Sequence, residues 1–306
     1  FSYFFHGGEI VSEGKIFRYV NMHNKCVIIT GANTGIGRET ARYIAMMGAH
    51  VILACRNIKK GNAAVDYILN TTDALEKNVQ CIELDVSSLA SIKKFVKTLE
   101  TKGISYIDVL INNAGVMMKD HVMTDEGFET TMVTNHFGHV ALSLLLLPFL
   151  EKAVEVNKNS NPRVVTVSSS LHKLPKHLSY HDFTFQNNNY SLFPVYGQSK
   201  LANVLFAFEL QRRLDSVNSK ITSSVLHPGN VQSDVTRNMP TVLRLGHQLF
   251  SPFLLLFQKL PHHGAYTTVH VATSSRLNRE NSGGQYFVHC RATNDISKLA
   301  QDPIAA

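Results

Sequence analysis

The chain has 306 residues, of which 44% are hydrophobic, so it is long enough to bury a large core. Its formal net charge of +7 is modest and no basic block exceeds two residues, which argues against a nucleic-acid partner and favours a phosphorylated cofactor or a membrane surface. The four cysteines are scattered without a C-x-x-C pair, which indicates reduced thiols in an intracellular compartment. The pairs His136/His139 and His262/His263 lack a carboxylate or cysteine cluster, so no metal site is predicted.

Short apolar runs alternate with helical patterns along most of the chain. This β-α-β order predicts a single-domain α/β fold, a doubly wound parallel sheet of the Rossmann type, with ligands at the carboxyl ends of the strands. No linker or internal repeat interrupts it, so residues 25–306 are expected to form one domain after an N-terminal extension, residues 1–24. The chain begins at Phe1 without a methionine, which leads us to expect that the extension is truncated. The predicted strands are residues 25–30, 50–55, 79–84, 108–111, 163–168 and 221–226.

The first predicted strand is followed by a glycine-rich turn and a helical pattern. The turn reads Thr30-Gly31-Ala32-Asn33-Thr34-Gly35-Ile36-Gly37. Strand, glycine turn and helix in this order present backbone N–H groups and a helix N-terminus to a phosphate, and the glycines allow it to approach closely. The spacing G-x-x-x-G-x-G differs from the common G-x-G-x-x-G and from the P-loop, so the turn predicts a nucleotide-phosphate site of another kind.

Polar residues at the next strand ends suggest which nucleotide is bound. Arg56 stands where an Asp or Glu would bond an unphosphorylated ribose, so its guanidinium, with Arg38 as a second contact, suits a 2′-phosphate and predicts NADP(H). The alternative is that either arginine is simply solvated. Asp85 is expected to accept a hydrogen bond from an adenine amino group. The small residues of Asn112-Asn113-Ala114-Gly115 allow the backbone to approach a flat ligand.

Tyr196 and Lys200 are the strongest candidates for chemistry. Four residues apart on a predicted helix, they share one face, so the ammonium is expected to lower the pKa of the phenol and make it an acid/base group. By itself this Y-x-x-x-K pattern is equally compatible with a packed aromatic ring beside a solvated lysine. Asn135 falls inside a long predicted helix, residues 125–153, where a buried amide needs a partner. The fifth strand ends in Ser168-Ser169-Ser170.

In this order the motifs resemble the short-chain dehydrogenase/reductase family, over residues 25–301. Finer segments are similar to the retinol dehydrogenase branch, and also to the oxidoreductase domain of the WW-domain-containing oxidoreductase. These segments are residues 50–56, 133–139, 199–204 and 227–230, and the insert between Ser169 and Tyr196 is similar too.

The resemblance implies a catalytic tetrad. Tyr196 is the general acid/base, Lys200 lowers its pKa and holds the nicotinamide ribose, Ser169 polarises the substrate carbonyl, and Asn135 anchors a water in a proton relay. The implied cofactor-binding residues are Gly31, Asn33, Thr34, Gly35, Ile36, Gly37, Arg38, Arg56, Asp85, Val86, Asn113, Ala114, Gly115, Tyr196, Lys200, Pro228, Gly229, Val231 and Ser233.

Two departures from the family pattern accompany the resemblance. Ser233 replaces the usual threonine, which keeps a hydroxyl for the carboxamide, and the chain stops at Ala306, short of the usual closing helix. The resemblance further implies that helices around Asn135 or Tyr196 pair two subunits in a homodimer. The apolar segment Leu243 to Leu260 is expected to close over a lipophilic substrate or to touch a membrane, with simple core packing as the alternative.

Two functions remain open from the sequence. The first is an NADP(H)-dependent oxidoreductase that interconverts lipophilic alcohols and their aldehydes or ketones, of retinoid, steroid or fatty-aldehyde type. The second is a cofactor-binding adaptor or signalling protein of the WW-domain oxidoreductase type. The complete tetrad favours the enzyme, because an adaptor has no chemical need for it. The expected location is the cytoplasm or the cytosolic face of a membrane such as the endoplasmic reticulum.

Overall fold

The computed structural model describes residues 3–6, 9–12, 20–178, 182–186, 190–229, 231, 260–277 and 282–301. Two of the expectations above lie outside these residues. One is the role of Ser233, and the other is the apolar segment from Leu243, of which only Leu260 is described.

An eight-stranded sheet forms the centre of the fold. Its strand order is β10-β9-β8-β7-β6-β3-β4-β5, and all neighbouring strands are parallel except β9 and β10. The strands of this sheet are β3 (Cys26–Thr30), β4 (His50–Cys55), β5 (Val79–Glu83), β6 (Val109–Asn112), β7 (Arg163–Val167), β8 (Thr222–His227), β9 (Tyr286–Val288) and β10 (Arg291–Ala292). Strands β1 (Tyr3–His6) and β2 (Glu9–Ser12) form a separate antiparallel pair.

Six longer helices accompany the sheet in the described residues. They are α1 (Gly35–Met46), α2 (Ile58–Thr71), α3 (Leu89–Thr101), α4 (Thr130–Val156), α5 (Leu192–Ser216) and α6 (Pro261–Thr273). Helix α4 is not uniform, because residues Val133–Phe137 form a π-helical turn before the regular segment Gly138–Val156. Short 3₁₀ turns occupy Glu76–Asn78, Ser170–Lys173 and Leu299–Gln301.

Two apolar layers hold the helices against the two faces of the sheet. Helices α1, α2 and α6 pack on the face that carries Val27 and Ile29. Helices α3, α4 and α5 pack on the opposite face, which carries Ile28 and Leu110. This arrangement confirms the predicted doubly wound α/β fold, and the six predicted strands are present with boundaries shifted by at most one residue. Helix α4 begins at Thr130, later than the predicted start, and β9, β10 and α6 were not predicted.

Helix α4 is long and apolar enough, by length and composition alone, to cross a membrane, and it is the one such helix among the described residues. Its Leu142, Leu146 and Leu150 are fully buried against the sheet, as expected for a core helix. Leu144 and Leu145 lie exposed on the other side. The helix is therefore compatible with membrane association, although its buried face already has a partner.

Candidate active site

A cleft of about 890 Å³ opens at the carboxyl ends of the parallel strands. This is where open α/β sheets bind their ligands. All but two of the predicted site residues line it: Asn135 lies beneath its floor, and Ser233 is outside the described residues. Residues of the cleft for which the sequence predicted no role include Asn57, Lys60, Met117, Leu171 and Phe193.

The glycine turn is shaped by close backbone contacts. A Cβ on Gly31 would lie 2.9 Å from the Cα of Ala114, and one on Gly37 would lie 2.6 Å from the main-chain oxygen of Gly31 and 2.5 Å from the side-chain amide nitrogen of Asn113. Gly35 has a φ of +57°, which favours glycine, and a Cβ there would meet no protein atom within 4 Å. The turn is thus packed tightly against β6 on one side and open toward the cleft at Gly35. Helix α1 begins at this point with no acidic residue in its first turn, so its N-terminus suits an anionic group such as a diphosphate.

Three basic side chains line one end of the cleft, which we call the ribose end. The Arg56 side chain is 71% exposed and its Nη1 lies 3.9 Å from the Asp85 carboxylate. The Arg38 guanidinium stacks on the Tyr67 ring at 4.0 Å, and its buried Nε has no hydrogen-bond partner. Lys60 lies on the first turn of α2 in the same wall. The Arg38 Nη2 pairs with the Glu39 carboxylate at 3.2 Å, so part of this guanidinium is already committed. Three cations on one wall of the cleft nevertheless suit a phosphate.

Asp85 is partly committed within its own loop. One carboxylate oxygen accepts hydrogen bonds from the Ser87 N–H at 2.9 Å and the Ser87 hydroxyl at 2.6 Å. The other carboxylate oxygen faces Arg56. Asp85 therefore lines the cleft as predicted, and only this second oxygen is directed toward the ribose end.

The opposite end, the catalytic end, holds Tyr196 and Lys200 on α5. Both are nearly inaccessible, with 7% and 3% of their surface exposed. The Lys200 ammonium donates to the Val167 carbonyl at 3.0 Å and lies 5.6 Å from the centroid of the Tyr196 ring. The Ser169 side chain lies close enough to the Tyr196 phenol to lower the pKa of that phenol. The strand end of β7 and the face of α5 thus bring the three predicted groups together.

The pKa values of this pair follow from burial. Burial raises the pKa of Tyr196 to about 12, and the Ser169 side chain opposes that rise. Burial also lowers the pKa of Lys200 to about 8. The direction for Tyr196 differs from the expected lowering by Lys200. The physical reason is that desolvation disfavours the phenolate, while the ammonium is directed at the Val167 carbonyl rather than at the phenol oxygen.

Asn135 sits in the π-helical turn beneath the catalytic end and is fully buried. Its side-chain oxygen accepts the Val116 N–H at 2.7 Å, and its amide nitrogen donates to the Val116 carbonyl and the Ser199 hydroxyl, both at 2.9 Å. A Cβ on Gly115 would lie 3.4 Å from the Asn135 side-chain oxygen and 3.5 Å from the Lys200 ammonium nitrogen, so the two groups converge at that glycine. The buried amide therefore has its partners.

The residues missed by sequence reasoning had weak local signals. Lys60 belongs to a Lys-Lys pair that reads as a solvated surface, and only the position of α2 brings it to the ribose end. Phe193, Leu171 and Met117 lie in the insert or after the Asn-Asn-Ala-Gly turn, and they give the catalytic end an apolar wall. Among the described residues, no group of His, Cys, Asp or Glu side chains is arranged to hold a metal ion.

Comparisons with known proteins agree with this geometry. Residues 25–181, about half of the chain, match the short chain dehydrogenase family. Retinol dehydrogenase 12 of Mus musculus is 40% identical over 94% of this chain and 83% of its own length. The WW domain-containing oxidoreductase of Gallus gallus is 37% identical over 92% of this chain and 67% of its own length.

A solved structure of an uncharacterized protein from Mycobacterium paratuberculosis is 33% identical, with a TM-score of 0.71, and covers 94% of this chain and 92% of its own. More distant neighbours that share the fold include complexes with NADP and NADPH. Family membership brings with it an oxidoreductase activity, a nicotinamide cofactor and a small-molecule substrate. The chain belongs to the short-chain dehydrogenase/reductase family and is similar to its retinol dehydrogenases.

Proposed function

We propose that the protein is an NADP(H)-dependent oxidoreductase that interconverts lipophilic alcohols and their aldehydes or ketones. One observation carries the proposal: Tyr196, Ser169 and Lys200 meet at one end of a single cleft whose other end is lined by basic side chains. An adaptor needs only the second of these features. A reductase needs both, because it must hold the cofactor and also deliver a proton.

The ribose end supports the choice of NADP(H). A 2′-phosphate carries close to two negative charges, and Arg38, Arg56 and Lys60 surround the part of the cleft where the ribose is expected. The uncharged 2′-hydroxyl of an unphosphorylated ribose would be attracted to these cations much more weakly than a 2′-phosphate. Arg56 is the strongest single sign, because its side chain is 71% exposed in the cleft and its only ion pair among the described residues, with Asp85, is long at 3.9 Å.

Tyr196 and Lys200 would hold the nicotinamide ribose at the catalytic end, and the reduced nicotinamide, when bound, would supply the hydride for the carbonyl carbon and become oxidised. Tyr196 delivers its phenolic proton to the carbonyl oxygen, so that a C–H and an O–H bond form while the C=O π bond is lost. Ser169, which lies beside the phenol, polarises the same carbonyl. The Lys200 cation stabilises the tyrosinate that remains by turning its ammonium from the Val167 carbonyl toward the phenolate oxygen. Asn135 holds the Val116 backbone and Ser199 beside it.

The substrate class rests on the apolar wall of the catalytic end, formed by Phe193, Leu171 and Met117. Its test is a series of straight-chain aldehydes of increasing length with NADPH. Each buried methylene is worth ~0.8 kcal/mol, so kcat/KM should rise up to about fourfold per added carbon until the wall is covered. The same series with the Tyr196→Phe variant serves as the blank.

A flat profile along the series would contradict the lipophilic substrate class. Tight NADPH binding with no turnover of any carbonyl would instead support the adaptor, to which the likeness with the WW domain-containing oxidoreductase points.

A further inference from the structure

His139 is a buried histidine that the proposed reaction does not use. It lies on α4, one turn after Asn135, and only 1% of its surface is exposed. Burial lowers its pKa to about 3, so the imidazole is neutral and has one N–H and one bare nitrogen.

The partners of His139 determine which nitrogen carries the proton. Its Nδ1 lies 3.1 Å from the main-chain oxygen of Asn135, which can only accept, so the proton must be on Nδ1. Nε2 is then an acceptor, and the Thr30 hydroxyl, 2.9 Å away, donates to it. The ring thus bridges the last residue of β3 and the π-helical turn, which are more than a hundred positions apart in the chain.

Hydrogen bonds of Thr30 link His139 to the cofactor side of the cleft. Its hydroxyl oxygen accepts the backbone N–H groups of Asn113 and Ala114, both at 2.9 Å. Asn113 also donates its side-chain amide to the Thr30 carbonyl at 2.8 Å. The orientation of the Thr30 hydroxyl therefore sets the turn that lines the cleft at Asn113 and Ala114. A hydroxyl whose proton is held by His139 presents both lone pairs to these donors.

We propose that His139 is a positioning residue that couples the cofactor turn at Asn113 and Ala114 to the backbone of Asn135. Each ring nitrogen has a separate task. Nε2 orients the Thr30 hydroxyl and so the turn that contacts the cofactor. Nδ1 holds the carbonyl of Asn135, whose side chain clamps Val116 and Ser199 beside Lys200.

The two tasks can be separated with amide substitutions. Asparagine carries its amide nitrogen near the place of Nδ1. His139→Asn therefore keeps the hydrogen bond to the Asn135 carbonyl and loses the one from the Thr30 hydroxyl. The side-chain amide of glutamine reaches the place of Nε2. His139→Gln therefore keeps the hydrogen bond from the Thr30 hydroxyl and loses the one to the Asn135 carbonyl. His139→Leu loses both. The inference rests on the nicotinamide cofactor of the proposed function, so the titrations use NADPH, or NADH if the unaltered protein binds NADH more tightly.

The expected result is a split between affinity and turnover. His139→Asn should weaken cofactor binding about five- to tenfold with kcat nearly kept, His139→Gln should lower kcat by a similar factor with binding nearly kept, and His139→Leu should show both losses. In a double-mutant cycle, Thr30→Val should cost more affinity than His139→Leu, because it also removes the oxygen that accepts the Asn113 and Ala114 N–H groups. The two losses should nevertheless be less than additive, because both changes break the bond between His139 and Thr30. Thr273→Val is the control for the loss of a buried side-chain hydrogen bond, since its hydroxyl donates to the Val269 carbonyl within α6.

Equal losses of affinity and kcat in the Asn and Gln variants, or additive losses in the cycle, would overturn the proposal and leave His139 as an ordinary core residue. The affinity measurements need no substrate. They therefore test His139 even if the aldehyde series shows that the proposed substrate class is wrong.

Discussion

The two ends of the cleft hold their cations in opposite surroundings. Lys200 at the catalytic end is 3% exposed, and its pKa has fallen to about 8. Arg56 at the ribose end has a side chain that is 71% exposed. Burial thus turns a cation into a group that can titrate near neutral pH and act in proton chemistry. Exposure leaves the charge of a cation unchanged over this pH range, although solvent screens its electrostatic attraction. An exposed cation therefore suits the selection of a charged ligand.

The largest effect should come from the catalytic end. Tyr196→Phe removes the phenolic proton and keeps the ring, so turnover of a carbonyl substrate should fall by on the order of 10² or more while NADPH binding survives. Steady-state rates and a fluorescence titration of NADPH measure the two quantities. Tyr190→Phe is the matched control, because its hydroxyl donates to the Met118 carbonyl outside the cleft. Near-normal turnover in the Tyr196 variant would show that another group delivers the proton.

The next largest effect should be the change of kcat/KM with pH. Lys200 must be charged to stabilise the tyrosinate, and the pKa of its ammonium is lowered to about 8 by burial. Reductive kcat/KM should therefore be constant below that pH and fall about tenfold per unit above it. The buried histidines His136 and His139 should cause no fall between pH 5 and 7, because burial lowers the pKa of His136 to about 4 and that of His139 to about 3.

The contribution of Lys200 to the free energy of unfolding should change with pH in the direction opposite to kcat/KM. The unfolded chain keeps the Lys200 proton up to its ordinary pKa, so between pH 8 and about 10.5 it binds more protons than the folded protein. The contribution of Lys200 to the free energy of unfolding therefore rises with pH in that range.

Lys200→Arg should abolish the alkaline fall in whatever activity remains. A wild-type profile that stays flat to pH 10 would mean that Lys200 remains charged.

The ribose end should give the smallest effect. Arg56→Asp replaces attraction for a 2′-phosphate by repulsion, so Kd for NADPH should rise about tenfold while Kd for NADH changes little. The rise should shrink as salt increases, because the side chain is exposed. Arg212→Asp makes the same change in net charge at an exposed helix position outside the cleft and should alter neither Kd. Equal binding of NADPH and NADH by the unaltered protein would refute the cofactor assignment.

Much of this architecture was readable from the sequence because the signals are local. An apolar run followed by a glycine turn or a polar cluster marks each strand end, and the six predicted strands and most cleft residues follow from that pattern. Strand β9 was missed because three residues, Tyr286–Val288, are too few to show a period. The π-helical turn in α4 is likewise invisible, since its residues are compatible with a regular helix.

The missing part of the candidate site depends on contacts between distant segments. The link from His139 to Thr30 joins residues 109 positions apart, and no pattern at either residue indicates the other. The pKa of Tyr196 was expected to be lowered because the neighbouring charge can be read from the i, i+4 spacing. The burial that raises the pKa instead is a property of the packed fold.

The strand order has a consequence for how the polypeptide folds during its synthesis. Strand β3 pairs with β4 on one side and with β6 on the other, so it stays an open edge until residue 112 has left the ribosome. The unit β3-β4-β5 with α1 and α2 is complete in sequence by residue 83, yet the rest of the sheet and α6, which packs against α1, are still missing. We therefore expect this nascent half-sheet to expose apolar surface and to be a preferred substrate for chaperones until the second half arrives.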